Sequence, residues 1–252
     1  MDLLSKRWWT GLLKLSKAGE GLNFWYWFGR GLIGALMRTF GRIEVIGRSK
    51  MPTTGPLIVT ANHQSNADPP LLAVICDRPL WFMGKRGLFI NALVRYFLRG
   101  FHVYPMDPQT RGREAIRWSL QLLEQGHALA MFPEGTRHLG GLTEGADGAI
   151  YLALKSGAQL LPIGIIGTEQ LPGFWRMAFP FRRLKVVIGD PYRVPMIDGR
   201  ISKTALHSRT GELMARIAEL LPSDYKGVHR YRDTDLKATA IPRGVYRRRK
   251  ND

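Results

Sequence analysis

The stretch from Pro56 to Pro70 constrains this chain most. An apolar, β-branched run, Leu57-Ile58-Val59-Thr60-Ala61, passes through a polar loop into Asp68-Pro69-Pro70 and a second apolar segment. The length and branching of the run predict a strand. Asp68 before two prolines predicts a helix N-cap, because proline suits the first helical position. The pattern recurs along the chain. Strands are expected at 43–46, 57–61, 81–83, 101–104, 128–132, 160–166 and 184–188, with helices at 69–76, 88–98, 111–125 and 148–156 between them. Ser202 to Leu220 adds a surface helix ending at Pro222. This alternation specifies an α/β fold, a sheet flanked by helices whose chemistry gathers at the carboxyl ends of strands.

Two loops at such strand ends carry reactive groups. Asn62-His63-Gln64-Ser65-Asn66-Ala67-Asp68 couples a histidine to a carboxylate five residues on. An imidazole held by a carboxylate is fixed in orientation and tautomer, and is stabilised when it takes a proton. His63 is therefore a candidate general base and Asp68 its orienter; a capping aspartate beside an ordinary loop histidine is the simpler alternative. The second loop, Phe132-Pro133-Glu134-Gly135-Thr136-Arg137, sets an acid, a glycine, a hydroxyl and a guanidinium at the end of another strand. Glycine permits close backbone approach to a ligand, and arginine offers a planar fork matched to phosphate. Taken alone, this is a charged turn with an internal Glu134–Arg137 pair.

Together the two loops resemble the PlsC-type glycerolipid acyltransferases, whose commonest bacterial members are lysophosphatidic acid acyltransferases. Asn62-His63-x-Ser65-x-x-Asp68 and Phe132-Pro133-Glu134-Gly135-Thr136-Arg137 are similar to the family's first and third blocks in content and separation. Leu161-Pro162-Ile163-Gly164 resembles its fourth, a strand whose buried proline shapes the acyl pocket, and Lys85 sits where the family usually has a lysine. The resemblance spans roughly residues 43–191. It implies a central mixed β-sheet flanked by helices, of the glycerol-3-phosphate acyltransferase type. It also implies transfer of a fatty acyl group from acyl-CoA or acyl carrier protein to the sn-2 hydroxyl of lysophosphatidic acid. In that scheme His63 and Asp68 are catalytic, Arg137 and Lys85 hold the acceptor phosphate, and Glu134, Gly135 and Thr136 shape the acceptor site. No cofactor or metal is implied, and His102, His127, His138, His207 and His229 show no ligand spacing, so surface or loop roles are expected. The second block departs from the family: Gly100 to Asp107 has Met106 and Asp107 where an arginine is expected, with Arg111 or Arg113 nearby as substitutes. Glu144 and Asp147 stand where the family often carries a basic residue.

A net charge of +17 calls for a polyanion, nucleic acid or an anionic membrane. The distribution favours the membrane. Residues 1–40 interleave lysines with Trp8, Trp9, Phe24, Trp25, Tyr26, Trp27 and Phe28, and Leu4, Trp8, Leu12 and Leu15 form one helical stripe. The second segment, Leu22 to Met37, contains Arg30 and falls short of the ~20 residues that span a bilayer. Two amphipathic interfacial helices are expected, with the enzyme peripheral or monotopic on the cytoplasmic face. The predicted division is a membrane-binding segment at 1–40, removable without unfolding the rest, a catalytic domain at 41–222, and a basic tail at 223–252. The lysines and arginines among the first residues break up any signal peptide. The single Cys76, in an apolar stretch, reads as a core thiol in a reducing compartment. Two other classes remain at this point. A nucleic-acid-binding protein explains the charge but not the loops. A thioester hydrolase or non-catalytic lipid-binding relative keeps the fold without transfer.

Overall fold

The computed structural model describes residues 20–89, 91–106, 112–139, 141–171 and 175–229. The first of the two expected N-terminal helices, Asp107, Arg111 and the chain from 230 onward lie outside them. Seven strands form one sheet: β1 (Arg42–Ile46), β2 (Leu57–Ala61), β3 (Leu80–Lys85), β4 (Val103–Met106), β5 (Ala128–Met131), β6 (Gln159–Ile166) and β7 (Arg183–Ile188). Their order is β1-β7-β6-β2-β5-β3-β4, and every neighbouring pair is parallel except β6–β7. The sheet is therefore mixed. The carboxyl ends of β2 to β6 and the amino ends of β1 and β7 share one edge.

Alternation along the strands divides the core in two. Leu57, Val59 and Ala61 face α1 (Glu20–Phe40) and α2 (Asp68–Ile75). On the other face Ile58 and Leu129 meet α4 (Arg113–Glu124), α5 (Gly148–Ser156) and α6 (Lys203–Glu219). Between β3 and β4 runs α3 (Ala92–Gly100), and a single helical turn, Trp175–Ala178, precedes β7. The central strand β2 is buried along its whole length, which is why its sequence is apolar except for Thr60, whose hydroxyl donates to Leu161 O at 3.3 Å.

The helix α1 is longer than the apolar count predicts, and one face of it belongs to the core. Tyr26 and Met37 are fully buried. The Tyr26 hydroxyl accepts the Leu80 N–H at 3.0 Å, which pins α1 to the start of β3. Arg30, which seemed to interrupt an apolar segment, donates to the carbonyls of Ala73 (2.8 Å), Val74 (3.2 Å) and Cys76 (2.6 Å). It thereby satisfies the orphan carbonyls at the α2 C-terminus with a cation where the helix dipole favours one. Residue 40 is thus no seam: removing residues 1–40 uncovers core. The opposite face of α1 leaves Phe24, Trp25, Phe28 and Leu32 exposed. Among the described residues no helix is long and apolar enough to cross a membrane.

Two of the histidines for which surface or loop roles were expected are buried. His102 is sandwiched between Tyr26 (4.8 Å) and Trp81 (4.3 Å), and burial, reinforced by nearby His127, pushes its pKa down to about 4. His229 lies in the stretch expected to begin the basic tail. Instead, Leu142 N–H donates to Tyr225 (2.8 Å), Val228 N–H to Leu142 (3.1 Å), and His229 Nε2 lies 3.1 Å from the Thr143 carbonyl. Residues 223–229 are therefore packed structure. Cys76 is a core thiol, as expected, raised to about 12 by burial.

Candidate active site

The loop after β2 is built to hold one imidazole. Asn62 uses its side-chain amide as an extra rung of the sheet, donating to Ile165 O at 2.9 Å and accepting from Ile165 N at 2.7 Å. This ties the start of the loop to β6 where the β2 backbone leaves the ladder. The Ser65 hydroxyl donates to Leu171 O (3.2 Å) and accepts from Ala67 N (3.2 Å).

Asp68 is not the N-cap. Ala67 occupies that position, and Asp68 opens α2 with its carboxylate turned back over the loop. Pro69 and Pro70 have no N–H to offer at the helix start. The loop supplies the donors instead: Asp68 Oδ2 accepts Gln64 N at 2.7 Å and Ser65 N at 2.8 Å, and lies 2.8 Å from His63 Nδ1. The carboxylate has no solvent exposure, whereas the imidazole retains 17%. As a carboxylate, Asp68 only accepts, so Nδ1 carries the hydrogen and Nε2 presents its lone pair.

The loop after β5 braces that histidine. Glu134 does not pair with Arg137. Its Oε1 accepts the His63 backbone N–H at 2.8 Å, while Oε2 accepts the N–H and hydroxyl of Thr143, both at 3.1 Å. The His138 N–H donates to His63 O at 2.9 Å. Phe132 stacks on the imidazole with ring centroids 4.1 Å apart. Gly135 turns the loop with φ of 69°, and a Cβ there would meet nothing within 4 Å. Thr136 and Arg137 follow in this turn and are exposed. Thr143 was invisible as a site residue in the sequence, and Phe132 entered only as the start of its motif, with no role assigned. A threonine and an aromatic carry no signal until Glu134 and His63 are placed beside them.

Lys85 ends β3, separated from β2 by β5 alone, and is exposed on the same edge. Its strand partner is Met106, which with Asp107 stands in the second block where an arginine was expected. Arg113 is exposed at the start of α4. Asp147 is used structurally, accepting from Thr210 Oγ1 at 2.7 Å to tie α5 to α6, while Glu144 is exposed. Pro162 is buried within β6. Among the described residues no three His, Cys, Asp or Glu side chains converge as metal ligands would.

The sequence profile of a family described as Acyltransferase matches residues 42–166, which contain both loops. The 1-acyl-sn-glycerol-3-phosphate acyltransferase of Bacillus subtilis is 27% identical over 199 residues, covering 77% of this chain and 96% of that one. The chain belongs to the PlsC-type acyltransferase family. It is an acyltransferase. A chloroplastic 1-acyl-sn-glycerol-3-phosphate acyltransferase of Arabidopsis thaliana, LPAT1, is 29% identical over 137 residues, and this chain spans only 38% of its length. The crystal structure of the 1-acyl-sn-glycerophosphate (LPA) acyltransferase PlsC from Thermotoga maritima superposes with a TM-score of 0.60. It covers 92% of this chain and 89% of that one at 24% identity, a likeness of fold.

Proposed function

We propose that this acyltransferase moves a fatty acyl group from acyl-CoA or acyl carrier protein to the free sn-2 hydroxyl of lysophosphatidic acid, giving phosphatidic acid, at the cytoplasmic face of a membrane. The observation that carries the reading is the His63–Asp68 pair, its Nε2 unencumbered at the carboxyl edge of the sheet. A thioester is already activated, so the enzyme has mainly to remove the hydroxyl proton and position two substrates. His63 Nε2 takes that proton as the oxygen attacks the thioester carbonyl. It then returns the proton to the departing thiolate, so the acyl–sulfur bond is exchanged for an ester and a free thiol. Asp68 stabilises the transient imidazolium. Arg137 and Lys85, exposed on the same edge, hold the acceptor phosphate. Glu134 acts one step back, fixing the backbone of His63 and positioning Gly135 and Thr136 around the acceptor.

Membrane association rests on residues 1–40. The outer face of α1 presents Phe24, Trp25, Phe28 and Leu32, while its inner face fastens it to the catalytic core. Aromatic side chains on an amphipathic helix suit the headgroup boundary. The segment thus anchors without being a separate unit, and the basic residues of the tail add attraction to anionic lipid.

A second acceptor reading has one observation in its favour. Met106 beside Lys85 places an apolar side chain in the second block, where the resemblance leads one to expect an arginine. That suits a lysophospholipid or glycerol acceptor with a less demanding headgroup. The experiment is an acceptor panel: one labelled acyl-CoA offered lysophosphatidate, glycerol 3-phosphate and other lysophospholipids, with products identified. Preferential phosphatidic acid supports the first reading. Free fatty acid alone would make the protein a hydrolase and overturn both.

A further inference from the structure

A second cationic site lies on the same sheet edge, on the other side of His63 from Lys85 and Arg137. Because β7 runs antiparallel to β6, the amino ends of β7 and β1 emerge beside the carboxyl ends of the catalytic strands. There Arg42, Arg182 and Arg183 line a shallow cup of about 450 Å³ together with Phe40 and Phe181. All three arginines are exposed, and among the described residues none has an acidic partner. The nearest carboxylate on β1, Glu44, is paired with Lys185 at 3.2 Å. Gathering three guanidiniums without a counter-charge costs repulsion that an anion relieves. Their planar forks match phosphate oxygens.

The aromatic rim is equally particular. Phe181 holds a left-handed φ of 48° and is 65% exposed. A bulky residue in that region is strained, and such strain persists where surrounding structure holds a side chain for use. Phe40 braces it, with ring centroids 5.5 Å apart, and Phe179 closes the cluster at 4.8 Å from Phe40. Gly41 makes the corner tight enough, since a Cβ there would stand 2.6 Å from Pro180. The cup directly continues α1, whose outer face carries Phe24, Trp25, Phe28 and Leu32.

From this arrangement we infer that the Arg42–Arg182–Arg183 cup binds the headgroup phosphate of an anionic phospholipid within the bilayer, with Phe181 inserted beside it. The bound lipid is a docking ligand, not a substrate. It fixes the second end of α1 at the headgroup layer and turns the edge bearing His63 toward the membrane. The inference rests on the membrane-association reading above and adds to it a defined lipid contact.

The test is co-sedimentation of the full chain with phosphatidylcholine vesicles, with and without phosphatidylglycerol. Wild type is compared with the combined R42Q, R182Q and R183Q variant and with a control of equal charge loss, R117Q, R200Q and K203Q. With each basic residue at the surface contributing about a tenfold effect or less, the cup variant should bind anionic vesicles up to roughly a hundredfold more weakly. Its binding to neutral vesicles, its melting temperature and its KM for water-dispersed acceptor should match wild type. Inorganic phosphate at fixed ionic strength should not displace the vesicles. Equal weakening in the control, displacement by inorganic phosphate, or a raised KM for dispersed acceptor would each overturn the lipid site. Should the triple variant fail to fold, R182Q with R183Q gives the same comparison at reduced amplitude. Vesicle binding is read without turnover, so the result is independent of the chemistry assigned to His63. Wild type binding neither vesicle removes the membrane reading itself, whereas unaltered binding by the cup variant removes this site alone.

Discussion

Replacing Arg30 by methionine tests whether α1 is part of the enzyme's core or an appendage. The guanidinium makes three bonds to the last carbonyls of α2 and lies 4.7 Å over the Trp27 ring. R30M keeps the stem's apolar contacts and removes those donors. A bond to a charged group contributes about 1.5–3 kcal/mol, and a cation at a helix C-terminus another 0.3–1 kcal/mol or so. The three bonds share one guanidinium, and water reaches part of the site, so a net loss of about 2–4 kcal/mol is expected. For a protein of this size each kcal/mol shifts the melting temperature by about 2–4 °C, giving a fall of roughly 5–15 °C. R30K should recover part of it, since ammonium supplies the charge without the planar fork. The assay is thermal and urea unfolding, with limited proteolysis to see whether α1 is cut first. Wild-type stability in R30M, or cleavage of α1 without loss of the remaining fold, would refute the docking described here.

Three further outcomes follow from the site and its supports. Glu134→Gln leaves the histidine in place but weakens the bonds to the His63 N–H and to Thr143; kcat should drop by roughly tenfold with little change in either KM, as single-turnover kinetics would show. Arg137→Ala should raise KM for a phosphate-bearing acceptor by roughly 10–150-fold, corresponding to about 1.5–3 kcal/mol, and leave a phosphate-free acceptor unaffected. On acidification the folded state keeps His102 neutral to about pH 4 while the unfolded chain protonates it near 6.5. The unfolded state therefore binds more protons in that window. Stability should fall as pH drops from about 6.5 to 4, by about 3 kcal/mol in total. Urea midpoints across pH, flattened in His102→Phe, give the check.

The edge that carries the His63–Asp68 pair was legible in the sequence because the pair is local. His63 and Asp68 lie five residues apart on one loop, and strand length with helix periodicity places that loop at a sheet edge. Contacts distant in sequence were not legible. Arg30 read as an interruption of an apolar segment because its partners, the carbonyls at the end of α2, lie more than forty residues away. Glu134, assigned to the acceptor site by resemblance and to a pair with Arg137 when its loop is taken alone, gave no sign of its bonds to the His63 N–H and Thr143, because these come from other segments. Asp68 read as a cap because proline after aspartate usually marks one; only the folded loop shows two backbone N–H groups competing for that carboxylate. His229 read as part of a solvated tail, since basic composition gives no sign that residues 223–229 close over Leu142.

The central claim is that His63, oriented by Asp68, moves the proton in acyl transfer. The most direct measurement is pre-steady-state turnover of His63→Ala and Asp68→Asn with labelled acyl-CoA and saturating lysophosphatidate, each variant first matched to wild type in vesicle binding and folding. His63→Ala should lose roughly 10²–10⁴ in the transfer step, with Asp68→Asn also impaired. Phosphatidic acid formed by His63→Ala at close to the wild-type rate would contradict the claim.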